Sequence, residues 1–126
     1  MARSIERYLR MLPKASGVRY TEQVWYPPAD VYRARDGVWV VKLELAGVRP
    51  DEIEIAAEGD VLRVAGSRRD STCTESVLCH QLEIVYSRFE KAIRFPCRVE
   101  GAEVETLYQD GLLIIRLRFG DDGRCG

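Results

Sequence analysis

Short runs in which apolar and polar side chains alternate, each bounded by a glycine-bearing turn, constrain this chain more than any other feature. Between residues 39 and 45 the odd positions Trp39, Val41, Leu43 and Leu45 are apolar, while Lys42 and Glu44 face the other way. A strand turns successive side chains to opposite faces, so this pattern describes one face on a core and the other toward water. The scheme recurs around Gly59-Asp60, with Ile53 and Ile55 before the turn and Leu62 and Val64 after it. It appears again at Phe89, Ile93 and Phe95, where Pro96 ends the run. Asp36-Gly37 and Asp110-Gly111 supply two more pairs suited to the positive φ of a tight hairpin. Close-spaced short strands with no helical period between them predict an all-β sandwich.

The last of these runs raises a question of its own. From Leu112 to Phe119 four consecutive aliphatic residues open the strand, and if Leu113, Ile115, Leu117 and Phe119 fill the core, Leu112 and Ile114 point outward. Outward apolar residues need a cover, either from the chain itself or from something it binds.

A chain of 126 residues with 46% hydrophobic content is long enough for one modest core and too apolar to stay disordered. Its formal net charge of −1 excludes nucleic-acid binding by bulk electrostatics. That charge is uneven. Residues 1–29 carry Arg3, Arg7, Arg10, Lys14 and Arg19 against Glu6 and Glu22, a balance of +3 that leaves −4 for the remainder. Within the basic part, Ile5, Tyr8, Leu9 and Leu12 fall at i, i+3, i+4 and i+7, and Pro13 ends the run, which predicts a short amphipathic helix. Pro27-Pro28 then favours an extended entry into the domain. The expected division is an N-terminal arm over 1–27, a domain over 28–119 and a short polar tail over 120–126. No stretch reads as a signal peptide or a membrane span, so the expected location is cytoplasmic, without integral membrane association.

Nothing in the chain points to catalysis. It has no Gly-rich phosphate cradle, no G-x-S-x-G elbow and no carboxylate pair set against a nucleophile, and no cofactor or metal is expected. The alternating Glu52, Glu54, Glu103 and Glu105 read as solvated strand faces. Cys73, Cys79, Cys97 and Cys125 form no C-x-x-C pair and share no repeated spacing, so reduced thiols are expected, with His80 as a surface residue. The polar segment 67–76 reads as a long loop.

Taken in order, these blocks resemble the α-crystallin domain of small heat shock proteins. The stretch from Pro28 to Gly66 is similar to that family's opening block, with its Gly47-Val48 turn and acidic "PDEIEI"; "YSRFEKAIRFP" is similar to the second block. "TLYQDGLLII" resembles the A-x-x-x-N-G-V-L signature, with Thr106, Asp110 and Leu112 standing for the usual Ala, Asn and Val. Ala46 replaces a usual Pro and Ser87 a usual Gly.

The resemblance implies an immunoglobulin-like sandwich acting as an ATP-independent holdase, which binds partly unfolded client proteins and keeps them from aggregating. In bacterial and plant members a strand in the long loop crosses to the partner's sheet. Here Val77 to Ile84, with Leu78, His80 and Leu82, holds that place, and the acceptor is the strand around Val31 and Tyr32. The resemblance further implies a groove lined by Ile53, Ile55, Ala57, Val104 and Thr106, which takes an extended I-x-I peptide. The closing residues "GDDGRCG" carry no such motif, so assemblies beyond a homodimer are expected to be small and to depend on the arm stripe of Ile5, Tyr8, Leu9 and Leu12. A different reading is a monomeric co-chaperone of the CS-domain kind, which shares the sandwich and lacks the crossing strand.

Overall fold

The computed structural model of the chain describes residues 21–72 and 78–119. The strands follow the alternating runs: β2 (Ala29–Arg33), β3 (Trp39–Glu44), β4 (Ile53–Glu58), β5 (Val61–Ser67), β6 (Ser87–Arg94), β7 (Glu103–Gln109) and β8 (Leu112–Arg118). They are preceded by a strand inside the segment read as arm, β1 (Thr21–Trp25), which pairs parallel with β6. Its sequence, TEQVW, is too short and too polar at its start to show a period. Tertiary pairing makes it a strand.

Two four-stranded sheets result, ordered β1-β6-β5-β4 and β2-β3-β8-β7. Every pairing except β1 with β6 is antiparallel. The turns work as their residues dictate. Asp110 and Gly111 take φ of 55° and 78°, the double positive φ whose twist matches the β7-β8 hairpin. At Asp36-Gly37 the Asp36 carboxylate accepts from the Val38 backbone N–H at 3.1 Å, and Gly37 takes φ of 87°.

The inner faces meet in a core of Val41, Leu43, Leu45, Leu62, Val64, Phe89, Ile93, Phe95, Leu113, Ile115 and Leu117. The alternation assigned these residues to the interior; it also assigned Trp39 and Phe119, which are only partly buried, and it did not single out Val48 and Val99, which join the core. Two aromatic pairs close its ends: Trp25 lies edge-on to Phe89 at 5.9 Å, and Trp39 to Phe95 at 5.4 Å. Val40 is buried too, although its register with Tyr32 and Arg116 puts it on the opposite face from Val41.

One expectation is overturned, and two others concern what the described residues of a single chain do not contain. Residues 78–84 contain no strand and Val77 lies outside the described residues; the expected strand pairs with a partner subunit, which a single chain does not include. An extended segment becomes a strand only when its backbone groups find a ladder, and this one has none at home. Cys97 is held in a disulfide, against the expectation of reduced thiols, while Cys79 is free. Spacing along a chain reveals little about which cysteines a fold brings together. Finally, the arm stripe of Ile5, Tyr8, Leu9 and Leu12 lies outside the described residues.

Candidate functional site: the paired sheet edges

β4 ends one sheet and β7 ends the other, and among the described residues each has a strand neighbour on one side only. Registers fix which side chains these edges turn inward. Ile53, Ile55 and Ala57 pair with Gly66, Val64 and Leu62, whereas Val104 and Thr106 pair with Leu117 and Ile115. Because Val64, Leu62, Leu117 and Ile115 belong to the core, the five residues all face the seam between the sheets. Ile53, Ile55 and Ala57 are half-buried against that core. Val104 is 40% exposed, and Thr106 is exposed.

Both ends of the seam are closed by specific bonds. At one end the Val99 and Glu100 N–H groups donate to the Gly59 carbonyl at 2.8 and 3.2 Å, and the Gly59 N–H donates to Glu100 Oε2 at 3.2 Å. At the other, Tyr108 Oη donates to the Leu45 carbonyl at 2.7 Å. Tyr108 is a seam residue that sequence reasoning did not single out, although it follows Thr106 by two and period-two alternation puts it on the same face. The five residues expected to line a groove therefore turn to the inner side of their strands, and Tyr108 does the same. The seam offers an apolar floor between two rows of backbone groups with no strand beside them, which is the geometry that accepts an extended peptide.

Glu54, Glu103 and Glu105 face solvent, Glu52 is half-buried, and their ion pairs, Glu52 with Arg69 at 3.4 Å and Glu105 with Arg118 at 3.5 Å, are surface pairs that contribute little to stability. Among the described residues no group of three or more His, Cys, Asp or Glu is arranged to hold a metal, and no helix is long and apolar enough to cross a membrane.

The second predicted surface lies on the opposite flank. β2 ends its sheet, with Val31 39% and Tyr32 42% exposed. Leu78 is fully exposed, His80 is exposed and Leu82 is half-buried, and none of them forms part of a strand. The returning end of this loop is pinned by a residue that the sequence left unremarked. Arg68 donates from Nε and Nη2 to the Val85 carbonyl at 2.9 and 2.6 Å and from Nη1 to the Ala46 carbonyl at 3.2 Å. Its guanidinium also stacks 3.9 Å from the Trp25 ring centre. One side chain thus ties β1, the turn after β3 and the loop together.

Residues 31–120 match the Hsp20/alpha crystallin family. The chain belongs to this family. Small heat shock protein HspA of Bradyrhizobium diazoefficiens is 31% identical over 116 residues, covering 91% of this chain and 73% of HspA. Small heat shock protein C4 of Rickettsia felis is 26% identical over 98 residues, covering 78% of this chain. The matched part spans 60% of C4's own length. Among solved structures, heat shock protein 16.0 from Schizosaccharomyces pombe superposes with a TM-score of 0.65 at 24% identity, over 74% of this chain and 86% of that one. That likeness establishes the α-crystallin sandwich in this Hsp20 member. None of these similarities favours the CS-domain alternative.

Proposed function

We propose that this chain is a holdase chaperone that binds partly unfolded proteins, without nucleotide, and keeps them from aggregating. The observation that carries the reading is the seam between β4 and β7, where half-buried Ile53 and Ile55 and the exposed Val104 lie between two unpaired strand edges. An unfolding client offers what such a seam takes: extended backbone with apolar side chains at alternate positions. Membership of the Hsp20 family supports the same role.

Self-association belongs to this reading. A homodimer forms when residues 77–82 of one chain add to β2 of the other, so that the open edge of β2 and the unpaired loop satisfy each other. The exposure of Leu78, Val31 and Tyr32 in a single chain supports this pairing. The arm stripe of Ile5, Tyr8, Leu9 and Leu12 provides a further apolar element for small assemblies and for clients.

The test is light scattering from a heat-aggregating model protein, with and without the chain, in the absence and presence of ATP. Scattering should fall to the same extent with or without nucleotide. Suppression that appeared only on adding ATP would overturn the proposal.

A further inference from the structure

The two strands that edge the seam carry carboxylates and no cations. β4 reads IEIAAE and β7 reads EVETLYQ, with Glu54 and Glu58 on the first, Glu103 and Glu105 on the second, and no lysine or arginine on either. Ile55 and Ala57 pair with the core residues Val64 and Leu62, so Glu54, Ala56 and Glu58 occupy the opposite face of β4, and all three are exposed. The open edge of β4 is therefore apolar on its inner side, while its outer side repeats carboxylate, methyl, carboxylate.

Other carboxylates around the seam already have partners. Glu105 meets Arg118 at 3.5 Å, Glu52 meets Arg69 at 3.4 Å and Glu100 meets Arg98 at 2.9 Å. Glu54, Glu58 and Glu103 form no ion pair among the described residues. Arg63 stands opposite Ala56 on β5, between the two glutamates of β4, yet it forms an ion pair with neither and borders a recess with Tyr26, Glu90 and Ala92. Negative charge is thus left over at the positions that flank Ile55 and Ala57.

A segment that adds to the edge of β4 continues the sheet, and its own side chains alternate across the same two faces. Those on the inner face meet Ile55, Ala57 and the seam. Those between them fall opposite Glu54, Ala56 and Glu58, at the roughly 4.5–5.5 Å Cβ separation of directly opposed strand residues, where unlike charges attract and like charges repel. Five consecutive ligand positions are read in this way: a cation, an apolar residue, an unselected residue over Ala56, an apolar residue and a second cation. The edge of β7 offers less to such a ligand, because Thr106 is polar and Glu105 is already engaged by Arg118.

We propose that the seam selects extended protein segments in which an apolar-x-apolar triplet is flanked directly on both sides by lysine or arginine, the two cations standing opposite Glu54 and Glu58 on β4. Glu103, on the facing edge, adds to the same negative field. The selection rests on the seam's taking extended segments at all, and it states which of them are held best: basic stretches are preferred over acidic ones of equal hydrophobicity.

Fluorescence anisotropy with the full chain tests this on labelled peptides that differ only in the flanking pair: K-I-T-I-K, Q-I-T-I-Q and E-I-T-I-E, each between Gly-Ser ends. At about 20 mM salt the lysine peptide should bind about fivefold tighter than the glutamine peptide, and the glutamate peptide about fivefold weaker. At about 0.5 M salt, where exposed charges are screened, the three affinities should converge. Glu54→Gln with Glu58→Gln should remove most of the lysine peptide's advantage at low salt and leave binding of the glutamine peptide unchanged. Equal affinities for the lysine and glutamate peptides at low salt, or a lysine advantage that the double variant keeps in full, would overturn the selection while leaving the seam a peptide site. If none of the three peptides bound, the seam reading would fall together with it.

Discussion

Replacing Gly66 by Ala should destabilise the domain by about 1.3 kcal/mol, and two opposing effects set that figure. Gly66 lies in the middle of a sheet, paired with Ile53 of β4 and Phe89 of β6, at a backbone conformation that an L-residue can adopt. Freezing a less flexible residue would by itself stabilise the fold by roughly 0.4–1 kcal/mol. Against this, a Cβ at position 66 would lie 2.8 and 2.9 Å from two atoms of the Phe89 ring and against the Glu52 carbonyl oxygen. Ordinary contact begins near 3.4 Å, so neighbours must move by about half an ångström. Phe89 is fully buried and wedged against Trp25, and the Glu52 oxygen is backbone, so neither moves freely. Overpacking of this kind costs roughly 1–3 kcal/mol and outweighs the entropic gain. For a domain of this size the thermal midpoint should fall by roughly 7 °C, read by circular dichroism at one fixed protein concentration because association shifts the midpoint. Phe89→Leu removes the ring contacts, so the double variant should lose less than the two single losses added, by about 1 kcal/mol. An unchanged or raised midpoint for Gly66→Ala, or strict additivity, would refute the packing argument.

Three further outcomes are expected. Leu78→Asp with Leu82→Asp should convert dimers to monomers in sedimentation at low micromolar concentration, since charge would enter the proposed seam with β2; persisting dimers would exclude this interface. An I-x-I peptide should bind between β4 and β7, and Ile55→Glu should weaken it about tenfold or more, with fluorescence anisotropy as the readout. Arg68→Ala should speed proteolytic cleavage between residues 69 and 86 without changing the sheets' circular dichroism, and Arg68→Lys should not restore protection, because a lysine cannot stack on Trp25 while donating to both Val85 and Ala46.

Alternation along the chain determined the strands and the sandwich, because period two depends only on neighbours and a buried face needs apolar residues wherever it lies. It assigned Leu43, Leu62, Phe89 and Ile115 to the interior and turned Ile53 and Ile55 to one side of their strand, whereas Val104 and Thr106 came from the family resemblance. That β4 and β7 end different sheets along one flank, so that these side chains share a seam, depends on contacts between residues some 40 apart, such as Gly59 with Glu100. No local pattern encodes them. β1 is the same case, since Thr21–Trp25 has no period and becomes a strand only beside Ser87–Phe89. Residues 78–84 are the converse: alternating Leu78 and Leu82 suit a strand, yet within one chain they pair with none of the strands. Arg68 escaped notice because, beside Arg69 in a polar run, it looks solvated, and only packing brings the Val85 and Ala46 carbonyls and the Trp25 ring around it. The sequence by itself settled which side chains face inward, a matter of local stereochemistry; only the tertiary structure decided which edges stay open, because an edge is defined by the neighbour that is not there.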